Sequence, residues 1–186
     1  MAIADRSAAE AAQRIADALE AAHLPYAIGG ALALAIAGVP RGTADVDVDV
    51  FVAEERVPQL MEVLRTLGVE IDPGTALAAA RREGMFVWRW DGMRVDVFLP
   101  SIPFAKEAER TRIRVTDAAG WSGWFLSAEA LAVFKLLFFR GKDVVDLERM
   151  VAMRGAELDH GYVPRPLRGR VGPSASRSGR AWSRRA

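Results

Sequence analysis

The chain has 186 residues, 51% of them hydrophobic, enough for one domain with a sizeable core. It holds no Cys and two His, His23 and His160, which excludes disulfides and thiolate metal sites and all but excludes histidine-based metal or triad chemistry. A net charge of +1 conceals an asymmetry: residues 161–186 carry seven of the 25 Lys and Arg and no acid, leaving residues 1–160 with 18 basic and 24 acidic side chains, a net of −6.

The longest apolar run, Ala31 to Ala37, is far too short to span a bilayer, and no charged-then-apolar leader opens the chain. The expectation is a cytoplasmic protein with no membrane partner. The Arg-rich tail reads as an electrostatic nucleic-acid contact or as a disordered Pro/Gly/Ser/Arg extension, and composition favours the extension.

In chain order, Ser7 with Glu10 three residues on is a capping box. The helix it predicts keeps Ala11, Ile15, Ala18, Leu19 and Ala22 on one face, places His23 in its last turn as a structural residue, and ends by Pro25. Tyr26-Ala27-Ile28 reads as a short buried strand. Gly29-Gly30 turns it into a second helix, Ala31 to about Ala37, stopped by Gly38. Free N–H groups at that turn suit phosphate, although an ordinary Gly-rich turn reads the same way; no Gly-Lys-Ser/Thr follows, so it is not a Walker A loop.

From Ala44 to Val52 the chain alternates acid and valine. A strand there puts Asp45, Asp47 and Asp49 on one face and the valines on the other. Same-face neighbours lie about 7 Å apart, so adjacent carboxylates repel by roughly 0.6 kcal/mol in water, or about 2.4 kcal/mol at an effective dielectric of 20. A hard divalent cation, Mg²⁺ above all, would relieve that repulsion; an edge strand whose acids face water is the alternative. A calcium loop is excluded, because counting from Asp45 puts Val50 where Gly is needed and Arg56 where Glu is needed.

A helix follows with Pro58 in its first turn and Leu60, Val63, Leu64 and Leu67 as its apolar residues, ending at Gly68. Val69–Ile71 reads as a short strand, Asp72-Pro73-Gly74 as a turn, and Ala76–Arg82 as a helical turn or loop. Met85–Trp90 and Met93–Leu99 form a hairpin around Asp91-Gly92. Trp88 and Trp90 share a face, as a core pair or a stacking surface. Asp96 is the one acid within an apolar strand, costly unless paired or bound to a cation, and so a partner for Asp45 and Asp47.

Pro100–Pro103 reads as a loop, and Ile113–Val115 and Trp121–Leu126 as neighbouring strands. Ser127 caps an apolar helix to about Phe139 in which Lys135 either snorkels to the surface or points at phosphate. Gly141 breaks it, and Lys142–Leu147 starts another helix to about Met153, with Asp143 in its first turn. Strands interleaved with helices, then helices alone, give an α/β (α+β) body with a helical C-terminal portion.

Taken together, Gly29-Gly30, Arg41-x-Thr43-x-Asp45-x-Asp47 and Asp96 form an ordered set. Three carboxylates on neighbouring strands can hold two divalent ions about 4 Å apart, as in-line displacement at phosphorus uses. This set resembles the nucleotidyltransferase superfamily with the polymerase-β-like fold. It is most similar to minimal bacterial members of the AbiEii/AbiGii toxin type, whose later segment is matched by Glu129, Lys135 and Arg140-Gly-Lys142-Asp143-Val-Val-Asp146-Leu147.

The resemblance covers about Tyr26 to Met150. It implies a mixed sheet flanked by helices, and transfer of an NMP from an NTP to an acceptor hydroxyl on a tRNA 3′ end, a protein or a small molecule. A toxin role with an antitoxin partner comes with it. It implies that Asp45, Asp47 and Asp96 bind two Mg²⁺, with Asp96 helping to deprotonate the acceptor. Gly29, Gly30 and Thr43 would contact the triphosphate, Lys135 would offset phosphate charge, and Asp143 would act catalytically or in positioning. Two departures stand out: the spacer from Gly30 to Asp45 is long, and Asp49 is an extra acid that leaves Asp47/Asp49 open as the metal pair.

The expected organisation is an N-terminal helix (1–25), a nucleotidyltransferase core (26–126), a C-terminal helical segment (127–160) and a basic tail (161–186). A non-catalytic nucleotide- or partner-binding module with the same fold is the rival reading; a plain α/β domain would leave Gly29-Gly30, Lys135 and Asp96 as coincidences.

Overall fold

In the computed structural model, residues 7–68, 72–90, 92–159 and 162 are described. Ser7 Oγ accepts from the Glu10 N–H at 3.2 Å, and Glu10 Oε2 accepts from the Ser7 N–H at 2.9 Å, closing the capping box that starts α1 (Ala8–Ala21). His23 lies beyond this helix, exposed and at φ +53°, so it terminates α1 in the left-handed position instead of sitting in its last turn. β1 (Tyr26–Ile28) is fully buried. Gly29 caps α2 (Gly30–Ile36), and β2 (Asp45–Val50) carries the acids.

α3 (Val57–Thr66) starts with Pro58 in its first turn, as predicted. The segment after it differs from expectation. Asp72 is an N-cap, its Oδ2 accepting from the Thr75 N–H at 2.7 Å, and Pro73 and Gly74 form the first turn of α4 (Pro73–Glu83), a helix of 11 residues. Pro at the first helical position and Asp before it are start signals as well as turn signals. The strand expected at 69–71 lies outside the described residues.

β3 (Met85–Trp90) and β4 (Met93–Phe98) pair antiparallel with Trp90 opposite Met93, and Trp88 and Trp90 are both buried in the core. After the 100–103 loop comes a helix that periodicity did not predict, α5 (Ala105–Thr111), short and largely charged except for buried Ala105 and Ala108. β5 (Ile113–Thr116) and β6 (Ser122–Phe125) pair antiparallel, and α6 (Ala128–Phe138) and α7 (Gly141–Arg154) close the described body.

The six strands form one mixed sheet in the order β3-β4-β2-β1-β6-β5, with β2 parallel to β4 and β1 parallel to β6. β2 is therefore central. Val46, Val48 and Val50 are at most 1% exposed, and α1 packs on their strand and on α3. Each such burial is worth roughly 1.5–3 kcal/mol, which fixes the register and forces the alternate residues, the acids, onto the opposite face. α2 and α6 lie on that acidic side. No described helix is long and apolar enough to cross a membrane.

Candidate active site

The valine register decides where each acid goes. Asp47 stands directly opposite Asp96 across the parallel β2–β4 pair, Asp45 opposite Arg94, and Asp49 opposite Phe98. Asp45 is exposed at the start of the strand, Asp47 is half-buried and Asp49 is buried. Burial, and then the negative charge of Asp96, raise the Asp47 carboxyl above the usual carboxylate range, against a pull downward from Lys142 and Arg140. Asp49 is pushed up to about 8 by burial and by Asp47.

Gly30 adopts φ +53°, and a Cβ there would lie 2.9 Å from Asp47 Cβ and closer still to its carboxylate. A Cβ on Gly29 would lie 3.1 Å from Asp49 Oδ2. The glycine pair thus lets backbone pass over two carboxylates. Its first N–H is not free for phosphate, because Gly29 N–H donates to the Asp47 carbonyl at 2.9 Å. Thr43 is tied to the strand start: its Oγ1 accepts from the Asp45 N–H at 3.1 Å and donates to the Asp45 carbonyl at 3.0 Å.

Asp96 is held by Arg94, two residues earlier on the same face, through Nε to Oδ1 at 2.7 Å and a second nitrogen to Oδ2 at 3.2 Å. A cation already sits against this acid. The oxygen-donor chemistry of Asp47 and Asp96, in register and mutually repelling, suits a hard divalent ion. Among the described residues, however, no three acidic or histidine side chains converge as a ready metal cage.

Lys135 is neither snorkelling nor free. It is 5% exposed, its Nζ donates to Asp146 Oδ2 at 2.7 Å, and Asp143 Oδ1 lies 3.6 Å away. Arg41 Nε approaches Asp146 Oδ1 at 3.4 Å, joining the loop before β2 to α7. Asp143 closes the N-terminus of α7 by accepting from Arg140 N at 3.0 Å and from Arg140 Nε at 2.8 Å. Burial pulls its carboxyl up, but the Arg140 hydrogen bonds outweigh it and hold the group below the ordinary value.

The structure thus brings together Gly29, Gly30, Asp47, Asp49 and Asp96 at the sheet, and Lys135, Asp143 and Asp146 at the helices. Of these, Gly30, Asp47, Asp49, Lys135 and Asp143 line one cavity of about 280 Å³, whereas Gly29, Asp96 and Asp146 do not. Exposed Asp45 and half-buried Thr43 do not line it either. Sequence reasoning did not assign roles to Arg94, Arg41 and Asp146. The spacing Arg94-x-Asp96, same-face neighbours on a strand, was the available signal for the first.

The fold has solved counterparts. The solution structure of the antibiotic-resistance factor ANT(2'')-Ia matches 94% of this chain and all of its own, with TM-score 0.57 at 15% identity. The crystal structure of ANT(2'')-Ia in complex with adenylyl-2''-tobramycin matches 80% of this chain and 90% of its own, with TM-score 0.56 at 18% identity. An antigenic nucleotidyltransferase-like protein from Paracoccidioides brasiliensis matches 79% of this chain and 76% of its own, with TM-score 0.50 at 18% identity.

The chain has the nucleotidyltransferase fold. The mixed α/β sheet expected from the sequence is the one observed. No protein-family model matches the chain, and no curated protein matches it significantly.

Proposed function

We propose that the protein is a Mg²⁺-dependent nucleotidyltransferase that moves an NMP from an NTP to a hydroxyl of a small-molecule acceptor: the acceptor oxygen bonds to the α-phosphorus, the bond to the β-phosphate breaks, and pyrophosphate leaves. The observation that carries this reading is Asp47 facing Asp96 in register, with Gly30 folded over Asp47 on the nucleotidyltransferase fold. A small acceptor is favoured because a structure of the same fold holds an adenylylated small molecule. It also fits an acidic body, with net charge −6 over residues 1–160, which disfavours extended contact with a tRNA backbone. No observation supports an antitoxin partner.

In this reading Asp45, Asp47 and Asp96 would hold Mg²⁺, two ions in the arrangement implied by the resemblance. The metal supplies charge neutralisation on the triphosphate. Asp96 accepts the proton of the acceptor hydroxyl, which requires Arg94 to yield part of its grip. Gly29 and Gly30 let the triphosphate approach the backbone closely, and Thr43 fixes the strand start that presents Asp45. Lys135, paired with Asp146 and 3.6 Å from Asp143, ties α6 to α7 and so fixes the helical wall of the cavity. Asp143 orients Arg140, whose charge reaches Asp47. Most of the catalytic work is positioning and charge placement.

The test is transfer of label from NTPs labelled at the α-phosphorus, with Mg²⁺, to small-molecule, tRNA and protein acceptors, beside an Asp45→Ala/Asp47→Ala control. Label that disappears in the control supports the enzyme and names its acceptor. No label in any fraction, with no Mg²⁺-dependent NTP binding, would leave a non-catalytic module.

A further inference from the structure

The cavity that Asp47 and Gly30 line also has walls that the transfer chemistry leaves unassigned. Its apolar walls include four aromatic rings, Phe51, Phe98, Phe134 and Phe138, the second and last of these in tilted contact at 5.9 Å between ring centres. Phe138 is half exposed, so this ring forms the rim. On the floor lies Asp49.

Asp49 is 8% exposed, lines the cavity, and has no hydrogen-bond or ion-pair partner among the described residues. Burying a carboxyl without a donor is costly. A valine there would continue the strand and fill the wall at no such cost. Gly29 leaves the carboxyl its room, since a Cβ would come within 3.1 Å of Asp49 Oδ2. Small-ligand sites are mostly apolar with a few placed polar groups; here Glu83, Lys135, Arg140 and Asp143 also line the cavity beside Asp47 and Asp49, and its whole volume, about 280 Å³, is near the lower limit of such sites. The space suits one ring system, not a whole nucleotide with its acceptor.

We propose that this cavity is a subsite for a ring that presents an N–H donor to Asp49, the chemistry shared by a nucleobase and by an amine-bearing acceptor. The proposal rests on the nucleotidyl-transfer reading of the same site. The phenylalanines would stack on the ring and exclude water, and Asp49 would select rings with a donor over isosteres without one.

The experiment is calorimetry on the full chain with Mg²⁺, using adenosine, guanosine, cytidine and uridine, then benzylamine beside benzyl alcohol. Wild type is compared with Asp49→Leu and Asp49→Val. Binding of a nucleoside, or of benzylamine but not benzyl alcohol, that weakens roughly tenfold or more in Asp49→Leu supports the subsite and names the source of the ring. Should Asp49→Leu fail to fold, Asp49→Val, which continues the valine run of the strand and removes both acceptor oxygens, decides. A tenfold loss of benzylamine, or a changed ranking of nucleosides, supports the proposal, and unchanged binding of every probe overturns it.

Failure of every probe to bind wild type also overturns the proposal. Mg²⁺-tripolyphosphate is titrated in parallel. If it binds while no ring does, the subsite alone is wrong; if rings bind and tripolyphosphate does not, the nucleotidyl-transfer reading fails instead.

Discussion

Gly30 and Asp47 compete for one volume: a Cβ at position 30 would lie 2.9 Å from Asp47 Cβ and closer to its carboxylate, at a φ of +53° that side chains rarely adopt. Gly30→Ala is therefore expected to cost about 1–3 kcal/mol through backbone strain. It would also displace Asp47 and abolish NTP labelling. Gly42→Ala, with nothing within 4 Å of its Cβ, should stay within about 0.5 kcal/mol. Urea unfolding of the pair, with the transfer assay, checks this; equal stability would show that Asp47 can move aside cheaply.

Asp47 faces Asp96, and the two carboxylates repel across a half-buried gap. Asp47→Asn should raise the melting temperature in metal-free buffer while lowering transfer by on the order of 10²-fold or more. It should also remove any stabilisation by added Mg²⁺. Thermal melts with and without Mg²⁺ read both effects, and a variant that melts lower than wild type without metal would contradict the repulsion.

Asp49 should add its own slope to the pH dependence of stability. Its carboxyl is raised from 3.8 to about 8 by burial and then by Asp47. Between those values the folded chain holds a proton that the unfolded chain has released. Its contribution is thus fully present below the lower value and is lost as pH rises through the upper one, at up to about 1.4 kcal/mol per pH unit. Asp49→Asn should lack that slope. Denaturant unfolding from pH 5 to pH 8 compares the two, and parallel curves would show that the group is not titrating as described.

The Lys135–Asp146 pair is buried on both sides, with Asp146 also facing Arg41. Asp146→Ala leaves a buried ammonium short of its closest partner, and a loss of about 3–5 kcal/mol is expected. The double variant Lys135→Met/Asp146→Leu, which removes both charges, should recover most of it. A double variant no more stable than Asp146→Ala would mean that Arg41 or Asp143, not Lys135, carries the cost.

How much of this was legible before folding can be argued from single residues. The alternation Asp45-Val46-Asp47-Val48-Asp49-Val50 dictates that acids share a face, because a strand has period two and the valines must be buried. The Ser7–Glu10 box and the Ser127 cap fix helix starts, because their side chains answer backbone groups within four residues. Local chemistry misread Asp72-Pro73-Gly74, since turn and helix-start signals share the same residues.

Pairing across the chain was decided only by tertiary structure. That Asp47 meets Asp96 while Asp45 meets Arg94 depends on the register of two strands nearly fifty residues apart. Lys135 finding Asp146 depends on how α6 and α7 pack, and no spacing rule separates a buried ion pair from a cation held out to phosphate. The sequence determined which side chains share a face; long-range packing decided which charges are neutralised and left Asp49 without a partner among the described residues, because burial and partner geometry are properties of the assembled layers, not of any one segment.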